Sequence, residues 1–196
     1  MRTALPIVCL VTLIATACGT PAKYVETGGP ESIVSPGDVD IQDVRTAASG
    51  MLQSLIATGV LETSVNHPAR LLMGSIVNDT SSKFSIDDLT YRMREELVNS
   101  GKAQVVTTYG ATPEDKVAQE RMNTEAFRAG KTPSQIDTNP DFSLTGRITQ
   151  LKRSAGSIQQ ATYTFRLTLT NLRTGLEVWT KTVDMTKQGS KAAVGF

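Results

Sequence analysis

One stretch of the sequence decides the fold, because apolar and polar residues alternate along it: Gln160-Ala161-Thr162-Tyr163-Thr164-Phe165-Arg166-Leu167-Thr168-Leu169-Thr170. Successive side chains of a β-strand point to opposite faces of its sheet, so the alternation separates two sets of residues. One face carries Tyr163, Phe165, Leu167 and Leu169. The other face carries the threonines and Arg166. The pattern therefore predicts a strand with one buried and one polar face.

Further strands are predicted on both sides of this one. Alternation over Phe142–Ile148 precedes it, and the turn Asn171–Gly175 leads to a third strand over Leu176–Met185. These three segments predict an antiparallel meander. The short apolar run Leu71–Val77 and the segment Ala103–Thr107 predict two more strands, the first of them buried.

Helical periodicity and end signals predict three helices. Capping-box spacing begins at Asp40 and at Ser85, and Gly59 and Gly101 follow the two apolar stripes. A third, mostly polar helix is predicted from Pro113 to about Arg128. The predicted fold class is therefore α+β: a two-layer domain with helices on one face of a small mixed sheet that ends in an antiparallel meander.

The N-terminus has the features of an export signal with a lipid attachment site. Arg2 supplies the positive end, Leu5–Ile14 the apolar segment, and Ala15–Ala17 the small residues before a cleavage site. Cys18 follows directly, and the junction resembles a bacterial lipoprotein signal, in which this thiol is lipidated. The expected organisation is a signal peptide over 1–17, lipidated Cys18 and a flexible Gly/Pro-rich tether over 18–39, and a globular domain over 40–196.

Composition excludes several functional classes. The chain has 20 basic and 19 acidic side chains, and loss of Arg2 with the signal leaves 19 of each, so no basic excess would hold a nucleic acid. The single histidine, His67, and the two cysteines leave no spacing typical of a metal site. No segment is apolar over the roughly 20 residues that a membrane-spanning helix needs. We expect no metal, no cofactor and no nucleic-acid partner.

No catalytic motif stands out in the sequence. A cell-wall hydrolase needs two carboxylates about 5 to 9 Å apart, and the nearest candidates on the last strand are Glu177 and Asp184. Their opposite parity predicts opposite faces of the sheet. Trp179 has the same parity as Glu177, and is either a core residue at the sheet edge or an interface anchor. The chain is therefore not expected to be an enzyme.

The polar strand face has two readings, a solvated surface or a docking surface for a partner. Threonine suits exposed strands and favours the first reading. Three cations combine exposure with hydrogen-bonding reach and are the candidate partner-binding residues: Lys152, Arg153 and Arg166.

Five stretches carry a family resemblance: Asn139–Ile148, Gln160–Thr170, Thr174–Trp179, Lys187–Gly189 and Leu71–Thr80. Together they resemble the penicillin-binding protein activator LpoB family of outer-membrane lipoproteins. The resemblance implies a small domain like the N-terminal domain of TolB. It also implies a non-catalytic protein that stimulates a class A penicillin-binding protein, a peptidoglycan synthase.

Two further expectations follow from the resemblance. Gly19 after the lipidated cysteine, where Asp would favour inner-membrane retention in enteric bacteria, predicts attachment to the periplasmic face of the outer membrane. The alternative function on the same fold is an accessory subunit of an outer-membrane secretion or assembly apparatus, similar to the CsgG group.

Substitution of Cys18 by Ala is expected to abolish lipidation and release the chain from the membrane fraction. The thiol is the acceptor of the first acyl group, and stable anchoring requires more than one acyl chain. Metabolic labelling with a palmitate analogue and membrane fractionation measure both effects. Cys9→Ala, within the predicted signal, is the matched control and should leave both unchanged. Normal labelling of Cys18→Ala would contradict the prediction.

Overall fold

A computed structural model describes Tyr24 and residues 39–107, 113–131 and 139–190. The predicted signal peptide and Cys18 lie outside these residues, as does the tether apart from Tyr24 and Val39. The helices are α1 (Ile41–Ala57), α2 (Ile86–Asn99) and α3 (Pro113–Arg128), with a short 3-10 helix over Val60–Thr63. The strands are β1 (Ala69–Asp79), β2 (Ala103–Val105), β3 (Phe142–Ala155), β4 (Ile158–Asn171) and β5 (Leu176–Ser190).

The five strands form one mixed sheet in the order β2-β1-β3-β4-β5. Strand β1 runs parallel to both β2 and β3, whereas β3, β4 and β5 form the antiparallel meander. The helix between β1 and β2 provides the long connection that parallel neighbours require. The predicted α+β class and the mixed sheet are confirmed.

Local capping chemistry sets the starts of the first two helices. The Asp40 carboxylate accepts hydrogen bonds from the backbone N–H groups of Gln42 and Asp43, and the Asp43 carboxylate accepts one from the Asp40 N–H. This is a reciprocal capping box with Asp in place of Glu. Ser85 caps α2 by accepting the N–H of Asp88. No helix in the described ranges has the length and apolarity that crossing a membrane would need.

The core lies between α1, α2 and one face of the sheet. The helices bury Val44, Leu52 and Leu55 from α1 and Leu89, Met93 and Leu97 from α2. The strand β4 buries the apolar residues that the alternation predicted: Tyr163, Phe165, Leu167 and Leu169. This face is called the core face below. Gly146 lies beneath Leu167, where a Cβ atom would come within 2.8 Å of Leu167 Cδ2, so only glycine packs there without displacement.

Strand β5 differs from the prediction in two ways. It extends to Ser190 instead of ending at Met185, because it pairs with the whole of β4. A β-bulge at Val178 also changes which residues of β5 point to each face of the sheet. Leu169 pairs with Trp179, but the next residue of β4, Thr170, pairs with Glu177. Trp179 therefore lies on the core face and packs against the core, whereas Glu177 lies on the opposite face.

A buried hydroxyl joins four segments of the domain. Tyr163 is fully buried, and its hydroxyl accepts the backbone N–H of Val39 at 3.0 Å and the side-chain amide of Gln150. The Ser82 hydroxyl lies 3.2 Å from the same oxygen. Val39, placed at the end of the predicted tether, is itself buried. The phenol thus connects the entry of the chain into the domain, the loop after β1 and the strands β3 and β4.

Substitution of Tyr163 by Phe is expected to lower the free energy of unfolding by about 1–3 kcal/mol, because the buried Val39 N–H would lose its partner. Chemical denaturation measures the loss. Tyr24→Phe, at a fully exposed tyrosine, is the matched control and should change stability by less than about 0.5 kcal/mol. Equal stability of Tyr163→Phe and the wild type would contradict this role of the hydroxyl.

Candidate partner-binding surface

The face of the meander opposite the core carries the row of threonines. Hydrogen bonds between strands join Thr162 to Thr186 at 3.0 Å and Thr168 to Thr180 at 3.2 Å. The Thr164 hydroxyl donates to the Asp184 carboxylate at 2.6 Å. These contacts connect β4 to β5 by their side chains as well as their backbones. Much of the hydrogen-bonding capacity of this surface, called the threonine face, is used within the sheet.

Two arginines lie directly opposite each other on the threonine face. Arg147 of β3 pairs in register with Arg166 of β4, and like charges in this position repel. Arg147 forms an ion pair with Asp79 at the end of β1, which offsets its charge. Arg166 is exposed and has no partner among the described residues. Arg147 did not appear among the candidates from sequence, because its position opposite Arg166 depends on strand register.

The structure does not bring the three predicted site residues together. Lys152 lies on the core-face side of β3, where its ammonium group donates to Ser81 Oγ at 2.7 Å. Arg153 and Arg166 lie on the threonine face. Arg153 pairs with Gln160, six positions along β4 from Arg166, which corresponds to about 20 Å. Arg166 and Arg153 therefore belong to separate parts of one face.

One end of the meander projects beyond the helices. Strand β1 makes its last pair with β3 at Thr149, and the meander continues past this point. The part beyond this point, called the β-arm, comprises residues 151–162 and 186–190; its base still packs against the domain at Ala161 and Lys187, and the rest projects. Every residue from 151 to 158 is exposed, on both faces of the sheet. The β-arm extends about 15 Å from the body of the domain.

A network of charges holds the base of the β-arm. The Lys187 ammonium group lies 3.2 Å from Asp40 Oδ2 and also forms an ion pair with Asp43. Desolvation acts to raise the pKa of the Asp40 carboxyl, but hydrogen bonds from the Asp43 amide and from Lys187 lower that pKa overall. Desolvation acts to lower the pKa of Lys187, and the two carboxylates raise it overall. The N-terminus of α1 is thereby joined to β5.

The carboxylates considered for catalysis lie far apart. The bulge at Val178 places Glu177 on the threonine face together with Asp184, so the predicted opposite faces are wrong. Their partners Thr170 and Thr164 are six positions apart on β4, a separation of about 20 Å, which is well above the 5 to 9 Å of a glycosidase pair. His67 is exposed in the loop before β1. Within the described ranges, no three His, Cys, Asp or Glu side chains are grouped to hold a metal ion.

An open cleft of about 520 Å³ lies at the opposite end of the sheet from the β-arm, between the loop after the 3-10 helix and the β4–β5 turn. Asp141 and Arg173 are the charged residues that line it. The Asp141 carboxylate accepts the side-chain amide of Asn66 at 2.9 Å and the backbone N–H of Arg70 at 2.9 Å. These contacts fix the loop to the start of β1, which is a structural role.

The fold places the chain in the class of two-layer α+β domains with a mixed sheet. Comparison with family models then gives a match to the peptidoglycan-synthase activator LpoB over residues 43–185. The chain belongs to this family, as the resemblance of its strands predicted. The match covers α1 from Asp43 onward, the whole of α2, β3 and β4, and β5 as far as Met185.

Similar solved structures include the C-terminal domain of LpoB from Escherichia coli and from Salmonella enterica. The first has 16% sequence identity and a TM-score of 0.42, and the alignment covers 70% of this chain and 97% of that one. The second has 15% identity and a TM-score of 0.39, with 72% and 93% covered. Lipoprotein GNA1162 from Neisseria meningitidis has 14% identity and a TM-score of 0.34, with 65% and 88% covered. No curated protein matches the sequence.

The contacts of Lys187 predict a stability that depends on pH. Because folding lowers the pKa of Asp40, its ion pair stabilises the domain fully above the ordinary value of 3.8 and is lost as the pH falls through the lower folded value. Lys187→Met should lower the free energy of unfolding by about 1–2 kcal/mol at neutral pH. This loss should become progressively smaller as the pH falls below 3.8. Urea unfolding at neutral and acidic pH measures the difference.

The matched control for this prediction is Lys181→Met. Lys181 lies on the same strand and the same side of the sheet, but is exposed and has no partner among the described residues. Its substitution should change the free energy of unfolding by less than about 0.5 kcal/mol. A loss for Lys187→Met that stays constant from neutral to acidic pH would contradict a role for the carboxylates.

Proposed function

We propose that this chain is a non-catalytic outer-membrane lipoprotein that binds and activates a class A penicillin-binding protein. The family match over residues 43–185 is the observation that supports the proposal, since the family is that of peptidoglycan-synthase activators. The separated carboxylates of β5 agree with a binding function, because they do not form a hydrolytic pair.

Activation in this proposal depends on binding energy alone. The domain supplies no reacting group, so it acts by binding the active conformation of the synthase more tightly than the inactive one. A difference in binding free energy of about 1–3 kcal/mol raises the active population enough to increase the rate roughly 5- to 150-fold. Both glycan polymerisation and cross-linking are expected to increase, because a class A synthase performs the two reactions.

Anchoring sets where this binding takes place. Acylation of Cys18 would hold the chain at the periplasmic face of the outer membrane. A tether of the 20 residues from Gly19 to Asp38 would extend to at most ~70 Å if fully stretched and would span ~25 Å if it were a flexible coil. The domain would therefore meet its partner within the periplasm, close to its own membrane unless the tether is extended.

The direct test is reconstitution with purified class A synthases from the same host. The domain from Val39 onward should bind one of them and increase glycan polymerisation several-fold at saturation. The same domain without a synthase should release no product from isolated sacculi. Binding is measured by surface plasmon resonance and polymerisation with a labelled lipid-linked precursor.

Two outcomes would contradict the proposal. Digestion of sacculi by the domain alone would indicate an enzyme. Absence of binding to every class A synthase of the host would discard the activator function and favour the accessory subunit of a secretion apparatus.

A further inference from the structure

Every residue of the β-arm from 151 to 158 is exposed, and among the described residues the contact of this part with the body of the domain is the hydrogen bond from Lys152 to Ser81 on the core-face side. Antiparallel sheets are normally stabilised by burial of one face, so an arm exposed on both sides gains little from its own side chains. It also exposes two aliphatic residues, Leu151 at 54% and Ile158 at 44%. Both lie on the threonine face, at either side of Arg153.

The three side chains form a compact group. Leu151 and Arg153 are two positions apart on β3, about 7 Å, and so share a face. Ile158 pairs with Ala155, and Gln160 with Arg153, so Ile158 lies diagonally from Arg153 at a distance of about 7–8 Å. Arg153 has no hydrogen-bond or ion-pair partner among the described residues. Arginine is one of the residue types enriched at interface hot spots, and apolar neighbours can exclude water from the contact that it makes.

The charge of the β-arm favours an acidic partner. Residues 151–162 and 186–190 contain three cations, Lys152, Arg153 and Lys187, and no Asp or Glu. Lys187 is neutralised by Asp40 and Asp43, and Lys152 donates to Ser81 on the other face. Two β-arms placed face to face would bring like charges together, which disfavours a second copy of this chain as the occupant.

We propose that Leu151, Arg153 and Ile158 form the docking site for the synthase. The surface of the synthase that binds there would present a carboxylate surrounded by apolar side chains. This inference rests on the proposed function and names the part of the domain that performs it. The guanidinium group would receive the carboxylate as a paired hydrogen-bond acceptor, and the aliphatic side chains would exclude water from it.

The test compares two sets of variants at opposite ends of the meander. The arm variants are Arg153→Glu and the double variant Leu151→Thr with Ile158→Thr, in which threonine preserves strand propensity. The control is Arg173→Glu with Leu176→Thr, because both residues are exposed near the β4–β5 turn and Leu176 is 64% exposed. Unfolding free energies should match the wild type in every variant, since the changed residues are exposed.

Each arm variant should weaken binding to the purified synthase at least tenfold, whereas the control should stay within about twofold of the wild type. Wild-type affinity in both arm variants would overturn the docking site and leave the proposed function intact. No binding by the wild type would overturn both. A wild-type dimer in sedimentation equilibrium that the arm variants abolish would assign the β-arm to self-association and overturn the proposal.

Discussion

The buried hydroxyl of Tyr163 is the contact on which the arrangement of the domain depends. A phenol excluded from water needs hydrogen-bond partners, and here it takes them from Val39, Gln150 and Ser82. These residues belong to the entry of the chain, to β3 and to the loop after β1. Satisfying one polar group therefore brings together segments that are distant in sequence. The network lies at the base of the β-arm, next to the ion pairs of Lys187.

The base of the β-arm is thus held to the domain by hydrogen bonds and ion pairs, while its tip is solvated. Lys187 links β5 to the first turn of α1, and Tyr163 links β4 to the same turn region through Val39. Under the proposed function, a base held in place would limit the orientations of the exposed tip and so reduce the entropy lost on binding.

Local pattern predicted most of the fold. The alternation around Phe165 predicted β4 with its buried face, and capping spacing predicted the start of α1 at Asp40. Strand register could not be predicted from the sequence, because it depends on pairing between residues that are far apart in the chain. The bulge at Val178 changed the faces of Trp179 and Glu177, and the ion pair of Lys187 with Asp40 joins residues 147 positions apart. The three candidate cations stay a prediction, and the structure separates them: Arg153 lies in the proposed docking site, Lys152 on the other side of the sheet, and Arg166 elsewhere on the threonine face.

Photo-crosslinking in the living cell tests the central claim most directly, since it reports which surface touches the synthase when the chain is anchored. A photoreactive amino acid would replace Ile158 in the β-arm or, as the comparison, Leu176 at the other end of the meander. The account predicts a crosslink to a class A synthase from position 158 and none from position 176, with mass spectrometry locating the adduct beside an acidic residue. A crosslink from position 176 alone would contradict it.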